Sequence, residues 1–103
     1  MKLLFVTSLK EYQKPVVDLL AQAGVHVFSV SETTGFKDQR NEDVAMQWFG
    51  RGNEQFDSIF LFSFTDVRKA EMVIELVKKY NRESGTLFPV HAFIMPVEQS
   101  TNI

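Results

Sequence analysis

The sequence contains no cysteine. Disulfides and thiolate-held metals are therefore excluded, and a reducing compartment is the expected home. No apolar run approaches membrane-spanning length, so no membrane insertion is expected. The opening MKLLFVTSL lacks the longer apolar core and small-residue cleavage site of a secretory signal. The formal net charge is only −2, which gives no bulk electrostatic drive toward nucleic acid. There is no P-loop, no Rossmann fingerprint and no Ser–His–Asp arrangement that can be placed, so the expectation is a non-enzymatic protein with no catalytic residues. What is present is apolar: 45% of residues, enough to exclude a disordered chain. At 103 residues the chain is expected to be one cytoplasmic domain, 1–103, with a modest core that association would supplement.

Two halves of the chain look alike, each reading as strand, helix, strand. Lys2–Thr7 is a short apolar run expected to form a strand buried on both faces. Tyr12, Val16, Leu19, Leu20 and Ala23 share one helical face. Pro15 requires that this helix start near Glu11 or Tyr12, so that the proline falls in the first turn. Gly24 suits the left-handed position that closes a helix, and Val25–Ser31 reads as the next strand. In the second half, Ser58–Thr65 alternates Phe60, Phe62 and Phe64 with Ile59 and Leu61, the strongest strand signal in the chain. Asp66 can cap a helix whose buried stripe is Ala70, Val73, Ile74 and Val77, and Gly85 stops it. Val90–Val97 is the last strand, with Pro96 at an edge or strand end.

Two such units in series predict an α+β, ferredoxin-like βαββαβ fold, a four-stranded antiparallel sheet with two helices on one face. The other face of such a sheet is apolar here, and the expectation is that sheets from several subunits pack together over it. Between strands 2 and 3 lies Thr33–Asp57, predicted to be a long loop carrying Gly35, Gly50, Gly52 and the only tryptophan, Trp48. A connection of that length is usually functional or disordered.

The run VSETTGFKDQ resembles the segment that opens the large loop of PII signalling proteins, with Gly35, Phe36 and Gln39 at the matching positions. MKLLFV, AGVHVFSV and FIMPVE also resemble PII-type segments, so the similarity covers nearly the whole chain in order. The resemblance implies a homotrimer that binds a small-molecule effector, often an adenine nucleotide, in clefts between subunits. Its large loop would touch a partner protein, a membrane transporter or an enzyme. Gly35, Phe36, Lys37 and Gln39 would lie at the loop base beside the cleft. The departures are specific. The family's glycine-rich, lysine-containing turn before the last strand reads ESGTLFPVHAF here, with His91 where a phosphate-binding lysine would be. The family's C-terminal arginines and loop tyrosine are absent. The trimeric CutA cation-tolerance proteins are a second relative of the same architecture.

His91 has two readings: a packed strand residue, or an effector contact, metal ligand or pH switch. No HxxxH or HxxE spacing supports a metal site, and none is predicted. Trp48 and Phe49 are adjacent large aromatics in a polar loop; they either pack back on the scaffold or, with Arg40, anchor a partner. Two alternatives to a PII-like regulator stand beside it: a metal-responsive CutA-like adaptor, and a small ferredoxin-like enzyme with an aromatic pocket.

Overall fold

A computed structural model describes residues 1–36 and 55–102. Strand β1 spans Lys2–Leu9 and is followed by one 3-10 turn, Lys10–Tyr12, and helix α1, Gln13–Gln22. Strand β2 spans Ser29–Phe36 and β3 Gln55–Thr65; helix α2 spans Val67–Ser84 and β4 His91–Pro96. The sheet order is β2-β3-β1-β4 and every pairing is antiparallel. Because β1 and β2 each run against β3, they are parallel to each other with β3 between them. By the same logic β3 and β4 are parallel with β1 between them. The two βαβ units therefore interleave, and β1 and β3 form the centre of the sheet.

Alternation along those central strands decides what faces what. Leu4 and Val6 on β1 and Ile59 and Leu61 on β3 are buried against Val16, Leu19 and Leu20 of α1 and Val73 and Val77 of α2. Both helices thus seal one side of the sheet in a single core. The residues between them, Leu3, Phe5, Phe60, Phe62 and Phe64, point to the other side, as the Phe/Ile–Leu alternation predicts. Leu4 pairs with Ser63 and Val6 with Leu61, so a slip of one residue would turn the whole aliphatic set to the wrong side.

The helix ends follow local chemistry. Pro15 is the third residue of α1, inside the first turn, where its missing N–H has no partner to lose. The Asp66 side chain accepts from the Lys69 backbone N–H at 2.9 Å and caps α2, as expected. Gly85 closes α2 at φ +62, a left-handed conformation that glycine adopts without steric cost.

Several sequence-based boundaries are corrected. The second strand is not Val25–Ser31 but Ser29–Phe36. Val25 instead donates its N–H to Leu20 at 2.9 Å, folding back over the helix end, and its side chain is in the core. The expected 33–57 loop is shorter at both ends, because Thr33–Phe36 pair with Gln55–Ser58 in the sheet. Thr33, Thr34 and Phe36 are strand-favouring residues, and pairing to β3 carries the strand through Gly35. Residues 37–54, with Lys37, Gln39, Arg40, Trp48 and Phe49, lie outside the described residues. The first strand also runs to Leu9, two residues past the expected end, because Ser8 and Leu9 pair with Ile59 and Ser58.

Side-chain clamps tie segments that lack ladder bonds. Ser63 donates to the Val27 carbonyl at 2.6 Å, tethering the approach to β2. Asn81 on α2 donates to the Val90 carbonyl and accepts from the Val90 N–H, both at 2.9 Å. One amide therefore imitates a strand partner for a residue that is 2% exposed. Removing it leaves two buried backbone groups without that partner, at a cost of about 1–3 kcal/mol each if water does not reach them. Asn81→Ala is therefore expected to lower unfolding free energy by about 2 kcal/mol or more in urea titration, whereas Lys14→Ala, which removes only an exposed ion pair to Asp18, is expected to change it by less than about 0.5 kcal/mol.

Candidate ligand site on the uncovered sheet face

The face opposite the helices is built in rows across the strands. The first row is Phe64, Leu3 and Met95; the next is Ser29, Phe62, Phe5 and Phe93. A third row, Ser31, Phe60, Thr7 and His91, mixes apolar and polar groups, and a fourth has Thr33, Ser58 and Leu9. The rings are contiguous: Phe5 stacks on Phe60, its diagonal neighbour, at 5.2 Å between centroids, and Phe60, Phe62 and Phe64 follow one another at 6.3 and 6.4 Å. Phe64, Phe93 and Met95 are 48%, 38% and 39% exposed, so the first two rows end in an apolar patch.

At the third and fourth rows the face is roofed. The segment leading from α2 into β4 crosses the end of the sheet and sets Phe88 against Phe56 at 6.0 Å. This segment is held in place. The Tyr12 hydroxyl and Thr86 Oγ1 share a 2.7 Å hydrogen bond, and the Phe88 N–H donates to the same Oγ1 at 2.9 Å. Beneath it lies a cavity of about 170 Å³, lined by Phe5, Thr7, Leu9, Thr33, Ser58, Phe60, Phe88, Pro89 and His91 among others. No Asp, Glu, Lys or Arg is among the described residues that line it.

The predicted effector residues divide. His91 opens β4 opposite Thr7 and lines the cavity. Its ring lies nearly parallel to Phe93, with centroids 6.5 Å apart. Burial pushes its pKa below the ordinary 6.5, because the imidazolium loses hydration there. Gly35 pairs with Phe56, one row beyond Thr33, and is not among the residues that line the cavity. Phe36, its neighbour, points to the opposite side and is 62% exposed. Gly35 and His91 lie three strand spacings and two rows apart, roughly 20 Å, too far for one small ring to touch both.

Sequence reasoning missed Thr7, Thr33, Ser58, Phe88 and Pro89. A signal was there for Thr7 and Ser58: they interrupt the apolar outer alternation of β1 and β3 at matching ends. Nothing in the sequence placed Phe88 and Pro89 over them, because that depends on the Tyr12–Thr86 and Asn81–Val90 clamps. Among the described residues no three His, Asp or Glu side chains gather as a metal site. Among them, too, no helix is long and apolar enough to cross a membrane.

No family model matches the chain, and a search of curated proteins finds no match either. The functional reading therefore rests on geometry and on the resemblance of segments.

The lowered pKa of His91 has a consequence for stability. Between the folded and ordinary values the unfolded chain binds the extra proton, so stability rises with pH there. The contribution of neutral, buried His91 is fully present above about pH 6.5 and is lost as pH falls through its folded pKa. In urea titrations from pH 7.5 to pH 5 the wild type is expected to lose stability over this window, and His91→Phe to lose measurably less; parallel curves for the two proteins would contradict the assignment.

Proposed function

We propose that this chain is a PII-like regulatory protein rather than an enzyme: a trimer that binds a small effector at the uncovered sheet face and passes the signal to a partner protein through the connection between β2 and β3. Read from the β4 edge, the order β4-β1-β3-β2 with interleaved βαβ units supports a ferredoxin-like reading of the fold. The observation that carries the proposal is the aromatic face. Both helices lie on one side, and the other side presents Phe64, Phe93 and Met95 to solvent in a single chain. Exposed apolar side chains gathered on one face support an interaction surface there. The same face holds the cavity, so assembly and effector binding meet at one surface, and the β2–β3 connection leaves from its border at Gly35 and Phe36.

The mechanism is a population shift. An effector that contacts the β2 edge changes the free energy of one arrangement of the connection relative to another, and only differential affinity for the two can do so. Gly35 permits close backbone approach at that edge. Lys37 and Gln39 follow it in sequence as further effector contacts, and Arg40, Trp48 and Phe49 are the partner contacts in this reading. In one chain Gly35 and His91 lie three strand spacings and two rows apart, roughly 20 Å, so in this reading an effector seated beside His91 meets Gly35 of a neighbouring subunit. A metal-responsive adaptor has less support, because no three candidate ligands converge among the described residues. An enzyme with an aromatic pocket has the pocket in its favour, but His91 is the one acid–base side chain in the described lining.

Light scattering is expected to give three times the chain mass, and Phe64→Glu, placed in the exposed first row, to reduce it to a single chain while leaving far-UV circular dichroism unchanged. A wild-type protein that is monomeric at high micromolar concentration would overturn the assembly. Trp48→Ala is expected to leave thermal stability within a few degrees of wild type and to abolish partner capture in a pull-down; loss of folding would assign Trp48 to the scaffold instead.

A further inference from the structure

We propose that the cavity beneath Phe88 and Pro89 binds a neutral single-ring compound that carries a hydroxyl or a comparable hydrogen-bonding edge. The inference names the chemical class of the effector, and it rests on the reading above that the effector lies beside the border of β2 and the connection that follows.

Size is the first argument. An apolar cavity of about 150 Å³ holds one benzene ring, and this one measures about 170 Å³. A purine nucleoside or a two-ring cofactor does not fit inside it. Shape is the second. Phe5 and Phe60, stacked on each other 18° from parallel, line the floor, and Phe88 and Pro89 close the roof. A flat ring inserted between floor and roof meets aromatic surface on both sides.

Polarity is the third argument and the most selective. Thr7, Thr33 and Ser58 line the cavity with hydroxyls, each able to donate or accept. They lie on three adjacent strands in the third and fourth rows, so the polar groups converge on one edge of the space. His91, kept neutral by its burial at physiological pH, supplies a further ring nitrogen on the β4 side. No described lining side chain carries a fixed charge. A carboxylate, an ammonium or a phosphate entering this site would shed hydration with no counter-charge to replace it. A neutral phenolic or similar heteroaromatic edge loses little and gains a hydroxyl partner. The roof is pre-set by the Tyr12–Thr86 and Phe88–Thr86 hydrogen bonds, so ordering costs at binding are small.

The test uses the intact, isotope-labelled chain in two-dimensional amide NMR, titrated with phenol, benzene and benzoate. Phenol is expected to give saturable shifts centred on Thr7, Thr33, Ser58, Phe88 and His91. Benzene is expected to bind the same residues about fivefold more weakly, the value of one hydrogen bond of about 1 kcal/mol. Benzoate is expected to bind at least tenfold more weakly than phenol, on the order of the cost of burying an uncompensated charge. Thr7→Phe fills the cavity with a ring that strands tolerate, and is expected to abolish the phenol shifts with the rest of the spectrum retained. Should that variant not fold, Phe88→Ala, which changes no strand residue and removes the roof together with its contact to Phe56, is expected to weaken phenol at least about fivefold. The proposal is overturned by an absence of saturable shifts at on the order of 10 mM phenol, by benzoate binding as tightly as phenol, or by shifts that persist in Thr7→Phe. The subunit count tests the assembly reading separately: a monomer that binds phenol at these residues would sink the trimer and keep the ligand class, and a trimer that does not bind would do the reverse.

Discussion

The structure depends on one asymmetry: two helices cover one side of a sheet whose central strands are apolar on both sides. Leu4, Val6, Ile59 and Leu61 are at most 1% exposed beneath the helices. Their alternating neighbours Phe5, Phe60 and Phe62 have no helix over them; they pack on one another, and Phe5 and Phe60 also lie beneath Phe88 and Pro89. A strand with period-2 side chains cannot hide both sets with cover on one side. Every functional feature follows from how that second side is dealt with. At one end, the short link before β4 folds over and leaves a small cavity. At the other end nothing in the chain's described residues covers Phe64, Phe93 and Met95.

The covered end explains why the link from α2 to β4 is so heavily pinned. Its residues Thr86–Val90 belong to no ladder, yet Asn81 holds Val90 by both backbone groups and Tyr12 holds Thr86 from the first half of the chain. These clamps keep Phe88 at ring contact with Phe56. The roof over the cavity is therefore a consequence of polar satisfaction elsewhere, and local changes far from the cavity, at Tyr12 or Asn81, reach it through a few hydrogen bonds.

Much of this was legible from residues alone. The Phe60–Phe62–Phe64 alternation against Ile59 and Leu61 fixes which side of β3 faces the helices, and the four-stranded antiparallel sheet with two helices has the element order the pattern predicts. The Asp66 cap and the Gly85 stop were readable because each has a local mechanism, a carboxylate at free N–H groups and a left-handed φ. The second strand was misread because its apolar run, VHVF, is not where pairing occurs. Val25 is used by the core, Val27 is 85% exposed, and the paired strand is the more polar SVSETTGF. Propensity yields there to an available edge on β3. Of the site, His91 was visible as a lone titratable group in a strand, but its hydroxyl neighbours and its roof come from four other segments, a convergence that spacing does not encode.

The central claim is that the aromatic side is hidden in the working protein by further copies of itself. Methionine oxidation by dilute peroxide tests this within one molecule, because Met72 on α2 and Met95 on the aromatic side are comparably exposed in a single chain, 51% and 39%. The account predicts that Met95 is protected relative to Met72 at high protein concentration and that the protection is lost in Phe64→Glu. Equal oxidation of the two methionines at every concentration, in the wild type, would contradict it.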